Sequence, residues 1–422
     1  MTLLRILAVA VAIAALPHHA TAQGSAMPRV SLAGPYTSVA AAVAAARPHD
    51  TIVVEAGVYA EGPIVVDRPL TLIGREGAIL DGEGSHGLIV VEADSVTVMG
   101  LTLRDTGITF ADDRAALRVE KARFCRIEGN RIEGAFFGIY LANSGDCLVK
   151  DNVLVGGAVR ESQAGNGIHL WYSVRVTLQG NRIESHRDGI YFEFVEDSRV
   201  EGNVSRDNLR YGLHFMFSDG CDYVGNTFLR NGAGVAVMYT KDVLIEGNDF
   251  DDNRGGSSFG LLLKDITDSR VLRNRFRSNS VGIHAEGSNR LEVVGNDFLS
   301  NGWAVQVLAN SNGSSFRDNN FVANSFDVST NSRRAHSTFE GNYWDRYRGY
   351  DRDRDGVGDV PFRPVRLFSL VVEQNEPALV LQRSLLVGLL DLAEEVLPML
   401  TPDNLVDASP SLTPHRTAWS PG

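Results

Sequence analysis

Ten times between Asn130 and Asn342 the chain writes a short apolar stretch, then a glycine or other turn residue, then asparagine. The asparagines are Asn130, Asn152, Asn181, Asn203, Asn226, Asn248, Asn274, Asn296, Asn319 and Asn342, with gaps of 22, 29, 22, 23, 22, 26, 22, 23 and 23 residues. A near-constant period in this range predicts a solenoid, in which each repeat completes its core only by stacking on the next. Residues in register then form ladders along the rod, so most other signals are read column by column.

Seven repeats carry a second strand at a fixed offset. Gly138, Gly167, Gly189, Gly212, Gly234, Gly260 and Gly282 each lie 14 residues before the next asparagine. Alternating apolar residues follow each glycine, as in Ile190/Phe192, Leu213/Phe215 and Val235/Val237, and a period of two is the mark of a strand. Apolar residues also recur three positions before each asparagine and two positions after it, among them Phe228, Phe250, Phe276, Phe298, Phe321 and Trp344. About three short strands and no helix per repeat describe an all-β chain, a parallel β-helix with about 22–23 residues per coil. Leucine-rich repeats have similar lengths but require a Leu-dense consensus that is absent here. The asparagines are read as turn residues that tolerate a left-handed backbone and stack along the rod. A second ladder, Asn231, Asn253, Asn279, Asn301 and Asn324, reads the same way.

Open solenoid ends expose strand edges and need caps. At the N-terminus the Ala-rich stretch Ser38–Ala46 predicts a short helix with Thr37 or Ser38 as its N-cap. Residues 1–22 read as a secretory signal: Arg5, the apolar run Ile6–Leu16, and the small-residue site Ala20-Thr21-Ala22. That predicts export, and a periplasmic location in a bacterium with an outer membrane. The β-helix with its cap is assigned to 23–345 and an Asp-rich loop with an extended segment to 346–376. An amphipathic helix is assigned to 377–400, and a Pro/Ser-rich tail, expected to be disordered, to 401–422. Pro377–Leu400 is strongly apolar, but Arg383, Asp391, Glu394 and Glu395 make it a poor membrane span. It either caps the rod or projects to dock on a partner. A net charge of −12 argues against a nucleic-acid partner. Cys125, Cys147 and Cys221 share one inward rung. Cys125 and Cys147 sit on adjacent coils, where a disulfide or two small buried thiols are the alternatives.

Two groups of residues carry candidate chemistry. The outward positions of the Gly-led strand form two columns: Tyr140, His169, Tyr191, His214, Ala236, Leu262, His284, and Ala142, Trp171, Glu193, Met216, Met238, Lys264, Glu286. His214 and Met216 share a coil, and Met238 lies beside Met216 on the next, about 4.8 Å away in the pairing direction. Solvent-facing thioethers beside an imidazole form a soft donor set that favours Cu(I) over hard cations. The alternative is an aromatic and Met-rich patch that binds a protein or sugar. The second group is Asp351, Asp353, Asp355 and Asp359, with Gly356 at the sharp turn. They match the first nine positions of a calcium loop, but Phe362 replaces the bidentate glutamate at position 12. A solvated acidic loop is the alternative.

Four strings, Gly212-Leu-His-Phe-Met-Phe-Ser218, Gly234-Val-Ala-Val-Met-Tyr239, Gly260-Leu-Leu-Leu-Lys-Asp265 and Gly341-Asn-Tyr-Trp-Asp345, resemble the NosD family of periplasmic maturation proteins for nitrous oxide reductase. The resemblance runs from the signal segment to the Leu-rich C-terminal segment. It implies a right-handed parallel β-helix, association with an inner-membrane ABC transporter, and a non-enzymatic part in assembling the copper–sulfur centre of the reductase. Partners on this view are the transporter's membrane subunit, reached through Pro377–Leu400, the apo-reductase, and a copper chaperone. The rival class is a β-helical carbohydrate-active enzyme such as a uronan lyase, epimerase or galacturonase. Arg210-Tyr-Gly-Leu-His214 faintly resembles an epimerase strand, but Phe215-Met216 replaces that family's acid and histidine pattern, and no close carboxylate pair stands out for hydrolysis.

Overall fold

A computed structural model describes residues 29–419, apart from 32, 110–112, 158, 332–336 and 398–404. The signal segment 1–22 therefore lies outside the described residues. Every coil runs strand, corner, strand, strand. Equivalent strands pair parallel into three sheets of 14, 13 and 12 members. Register is strict: Arg126 pairs with Leu148, Leu148 with Thr177, and so on to Ser315 with Thr338. The result is a parallel β-helix of about thirteen turns. It starts earlier than the repeat itself, because Arg29–Val30 pairs with Thr51–Val54.

The asparagines behave differently from the sequence reading in one respect. The residue that turns left-handed is the one before each asparagine: Gly129, Asp151, Gly180, Gly202, Gly225, Gly247, Arg273, Gly295, Asp318 and Gly341 all have positive φ, and no repeat asparagine does. Glycine takes that conformation without strain, and Asp or Arg stands there in only three coils. Each asparagine side chain is thereby aimed inward and is buried. Its Oδ1 accepts both the backbone N–H and the Nδ2–H of the asparagine one coil back, as Asn152 does from Asn130 at 2.9 and 3.0 Å. Its own Nδ2 also donates to a strand carbonyl, Ile127 O in this case, at 2.9 Å. The chain of amides continues coil by coil to Asn319 and Asn342. The second ladder extends back past Asn231 to Asn208, whose Oδ1 accepts from His186 N.

Between the ladders the interior is filled by stacked rings. Phe228, Phe250, Phe276, Phe298, Phe321 and Trp344 form a continuous pile with centroid spacings of 5.4, 4.6, 5.0, 4.9 and 4.1 Å. The cysteines are free and buried.

Both ends are capped. The N-terminal helix α1 spans Val39–Ala45, with the Ser38 hydroxyl accepting from Ala41 N, so Ser38 rather than Thr37 is the N-cap. The C-terminal region departs from the sequence reading in three places. Within the segment read as extended, Leu367–Gln374 forms a helix, α2, because its buried Phe368 and Val372 pack on Phe326 of the last coil. The single helix expected over 377–400 is a 3₁₀ stretch, Glu376–Leu381, followed by a helix α3, Leu385–Val396, capped by Ser384. The tail expected to be disordered is packed on the rod where it is described. Leu405 and Asp407 are buried, and the Asp407 carboxylate accepts from Asn342 N, Asn342 Nδ2 and Trp344 Nε1, each at 3.0 Å. Asp407 thus takes the place that the next asparagine would occupy and closes the ladder. The segment then runs back along the coils, where His415 N donates to Asn320 Oδ1 and the Trp419 ring lies 4.6 Å from the Arg275 guanidinium. Proline and serine composition could not reveal this, because the partners are buried donors of the last coil.

Replacing Asp407 with alanine strands three buried donors, each costing about 1–3 kcal/mol when unpaired. Asp407→Ala is expected to lower the melting temperature and to open the C-terminal coil to proteolysis, while Asp407→Asn keeps one acceptor and loses less. Equal melting of the alanine variant and the wild type would show that the tail does not cap the ladder.

Candidate functional site

The outward columns occur as the register required, on the third sheet. Tyr191 pairs with His214 and His214 with Ala236, while Glu193 pairs with Met216 and Met216 with Met238. Met216 and Met238 are therefore direct neighbours on adjacent strands, both partly exposed. Trp171 and Glu193 precede them in the column, and Lys264 and Glu286 follow, joined by an ion pair at 3.4 Å. The lysine next to Met238 is thus partly neutralised, and Glu193 is the acidic neighbour of Met216.

His214 differs from the sequence reading. It belongs to the same face but is only 7% exposed, not solvent-facing. Its ring is held between Tyr191 and Tyr211, with centroids 5.0 and 4.7 Å away. Asp188 and Arg210 lie against its Nδ1 edge. Arg210 Nε and Nη2 bind Asp188 Oδ1 and Oδ2 at 2.8 and 2.5 Å, and Nη2 also lies 3.3 Å from His214 Nδ1. Asp188 Oδ2 is 3.7 Å from the same ring nitrogen. Burial works against ionisation of Asp188, but the Arg210 and His214 contacts outweigh it and hold the carboxyl below the usual carboxylate range. The other nitrogen, His214 Nε2, is buried and has no hydrogen-bond partner. A buried polar atom left without a partner calls for an explanation.

Tyr191 links the two columns. Its hydroxyl lies 3.4 Å from Glu193 Oε2 and 4.0 Å from Met216 Sδ. Burial, then Glu193 and Asp188, push its pKa up to about 12, so it remains a neutral donor. Farther along, burial pushes His169 down to about 3, which keeps that imidazole uncharged.

One element of this face was missed in the sequence. Tyr172, Phe194, Phe217 and Tyr239 sit at successive left-handed corners, are exposed, and stack at 4.6, 5.3 and 5.1 Å. Each follows the Trp171–Glu193–Met216–Met238 column by one residue. The signal was present one position beyond the strand pattern, where an exposed aromatic reads only as a turn residue.

The acidic loop is partly as expected. Asp351, Asp353 and Asp355 bring ligand oxygens within 4.8 Å of one another. Asp359 stands apart from that group and accepts from Arg352 N at 2.7 Å. The loop is also held without an ion: Gly356 N donates to Asp351, Val357 N to Asp355, and Leu412 N of the tail to Gly356 O.

Helix α3 presents two faces. Val387 packs with Phe326 and Phe368, and Glu394 accepts from Leu367 N at 2.7 Å. Arg366 pairs with Asp391. Two of the charges that interrupt the apolar run, Asp391 and Glu394, therefore anchor α3 to the start of α2. Leu385, Leu386, Leu389 and Leu392 face away and are 81%, 65%, 55% and 55% exposed. Among the described residues no helix is long and apolar enough to cross a membrane.

These features define a class: a parallel β-helix with a thioether–imidazole face on one sheet and an apolar helix at its C-terminal end. A family model described as "Periplasmic copper-binding protein (NosD)" matches residues 155–349. A protein of Pseudomonas aeruginosa, "Probable ABC transporter binding protein NosD", is 38% identical over 330 residues, covering 73% of this chain and 76% of that one. A protein of Stutzerimonas stutzeri with the same description is 27% identical and covers 73% and 74%. The chain belongs to the NosD family. Among solved structures, the Dettilon tailspike protein is similar at 13% identity with a TM-score of 0.54, covering 68% of this chain and 64% of that one, a likeness of fold alone.

Proposed function

We propose that this chain is a periplasmic accessory protein, not an enzyme, that docks on an ABC transporter and hands on Cu(I) during assembly of the copper–sulfur centre of nitrous oxide reductase. The observation that carries the copper step is the in-register pair Met216 and Met238, with His214 two residues before Met216 on the same strand face. Two thioethers and one imidazole suit Cu(I), which enters here as cargo. Few donors and partial exposure suit release as much as capture, and Glu193 attracts the cation. A copper chaperone would supply the ion and the apo-reductase would receive it. The family description and the relatives' names support this reading. A polysaccharide enzyme is disfavoured because Asp188, the acid nearest His214, is fully buried and locked to Arg210. A polymer lying on the face would not reach it.

Docking on the transporter is assigned to Pro377–Leu400, and chiefly to the exposed leucines of α3. A cap has no use for four leucines turned to solvent, and a contiguous apolar stripe marks an interaction site. The occupant is the periplasmic side of the transporter's membrane subunit.

Replacing Met216 and Met238 together by leucine keeps size and apolarity while removing both sulfurs. The double variant is expected to fold normally, to lose at least tenfold in Cu(I) affinity against a chromophoric chelator, and to yield copper-poor reductase in cells. Full copper loading would turn the column into a docking patch for a partner protein. For the helix, Leu385→Glu with Leu389→Glu leaves the buried face and the Asp407 cap intact. Loss of co-purification with the transporter is the expected result, and retention would place the contact elsewhere.

A further inference from the structure

The four exposed rings stand where the backbone favours them least. Tyr172, Phe194, Phe217 and Tyr239 have φ of 46, 54, 50 and 55°, in the left-handed region that bulky side chains avoid. In the coil before them the same corner is Asn143, and in the two coils after them it is Asp265 and Gly287, residues that adopt this conformation readily. The rings are also 36–51% exposed, so burial does not offset the strain. Stacking at interplanar angles of 11–20° offsets part of it. Strain kept at four successive corners for the sake of exposed apolar groups points to a task at the surface.

The edge of the rod that carries this ridge is acidic. Glu196 and Asp197 follow Phe194, Asp219 follows Phe217, Asp242 follows Tyr239, and Asp265 takes the next corner. Of the cations here, Arg175 and Lys264 are paired with Asp146 and Glu286 at 2.7 and 3.4 Å, and Lys241 is outnumbered by the five carboxylates. Such an edge repels an anionic lipid surface. It suits a protein face that sets lysines and arginines around an apolar centre.

We propose that the ridge is the docking surface for the apo-reductase, which meets it with a basic rim around an apolar patch. The identity of the partner rests on the copper reading above. Each ring is the next residue after Trp171, Glu193, Met216 or Met238, so a protein seated on the ridge is brought to the edge of the thioether column. The four rings run across four adjacent coils, about 14 Å along the rod. That is room for the compact aromatic centre on which binding energy concentrates, while the carboxylates around it steer approach and fix orientation. The transporter is served elsewhere. Helix α2, which carries α3, packs on the coil of Phe326, four coils beyond that of Tyr239, so the ridge and the exposed leucines are separate surfaces.

The test measures binding of the copper-free full chain to the apo-reductase by biolayer interferometry. Phe194→Asn with Phe217→Asn removes the two central rings and installs the residue already found at the corner of Asn143, so the backbone is relieved. This variant is expected to melt at or above the wild-type temperature and to bind at least about tenfold more weakly. Glu196→Lys with Asp242→Arg leaves the rings in place and reverses charge at exposed positions; Arg290 already holds the corner of Asp242 two coils on. It is expected to slow association and to flatten its dependence on salt. Wild-type binding by both variants overturns the proposal, and so does a wild-type chain that does not bind the apo-reductase. A lower melting temperature with unchanged binding in the asparagine variant would assign the rings to stability and overturn it as well. Cu(I) competition against a chromophoric chelator separates this proposal from the reading it rests on. Binding variants with wild-type Cu(I) affinity would sink the docking surface alone, whereas a wild-type chain that docks through the rings but takes up no Cu(I) would sink the copper reading alone.

Discussion

The structure depends on a hydrogen bond made ten times. An asparagine amide buried in a nearly apolar rod would be costly if any of its groups were unpaired. From Asn152 onward each oxygen serves two donors on the preceding coil, and each nitrogen serves a carbonyl and the next acceptor, which for Asn342 is Asp407. The ladder therefore tolerates no slippage, since a shift of one residue on any coil would strand amides on both sides. It also needs an end, and Asp407 supplies one from 65 residues away in sequence. The C-terminal segment thus completes the solenoid's polar ladder.

Strict register is what makes the outer face chemical. On an irregular surface, methionines 22 residues apart in sequence have no reason to meet. Here Met216 and Met238 are forced together by the pairing that aligns Phe215 with Val237 in the core. The same constraint stacks Tyr172, Phe194, Phe217 and Tyr239 into a ridge and brings Asp188 opposite Tyr211, from which Arg210 reaches it. The interior columns hold the rod together, and the exterior columns inherit their precision at no further conformational cost.

The fold was almost wholly legible in the sequence because each coil repeats one pattern, so a weak signal is read ten times. The outward columns and the meeting of the two methionines followed directly from spacing, whereas Thr37 and Ser38 were equal candidates for the N-cap until the structure chose Ser38. Part of what escaped had no repetition to reveal it. Asp188 and Arg210 occur once, and their contact with His214 depends on side-chain reach across a strand. The left-handed residue was placed one position late, because asparagine and the residue before it are both plausible turn formers and only the inward aim of the amide separates them. Helix α2 and the ordered tail depend on the shape of the last coil, which local composition cannot report.

The central claim is that coil stacking builds a soft two-sulfur, one-nitrogen site from residues that are unremarkable one at a time. X-ray absorption at the copper edge of the Cu(I)-loaded protein tests it most directly. The account predicts two sulfur neighbours and one nitrogen neighbour, with the sulfur shell lost when Met216 and Met238 are leucine. A shell of nitrogen and oxygen alone, or sulfur neighbours that persist in the leucine variant, would contradict it.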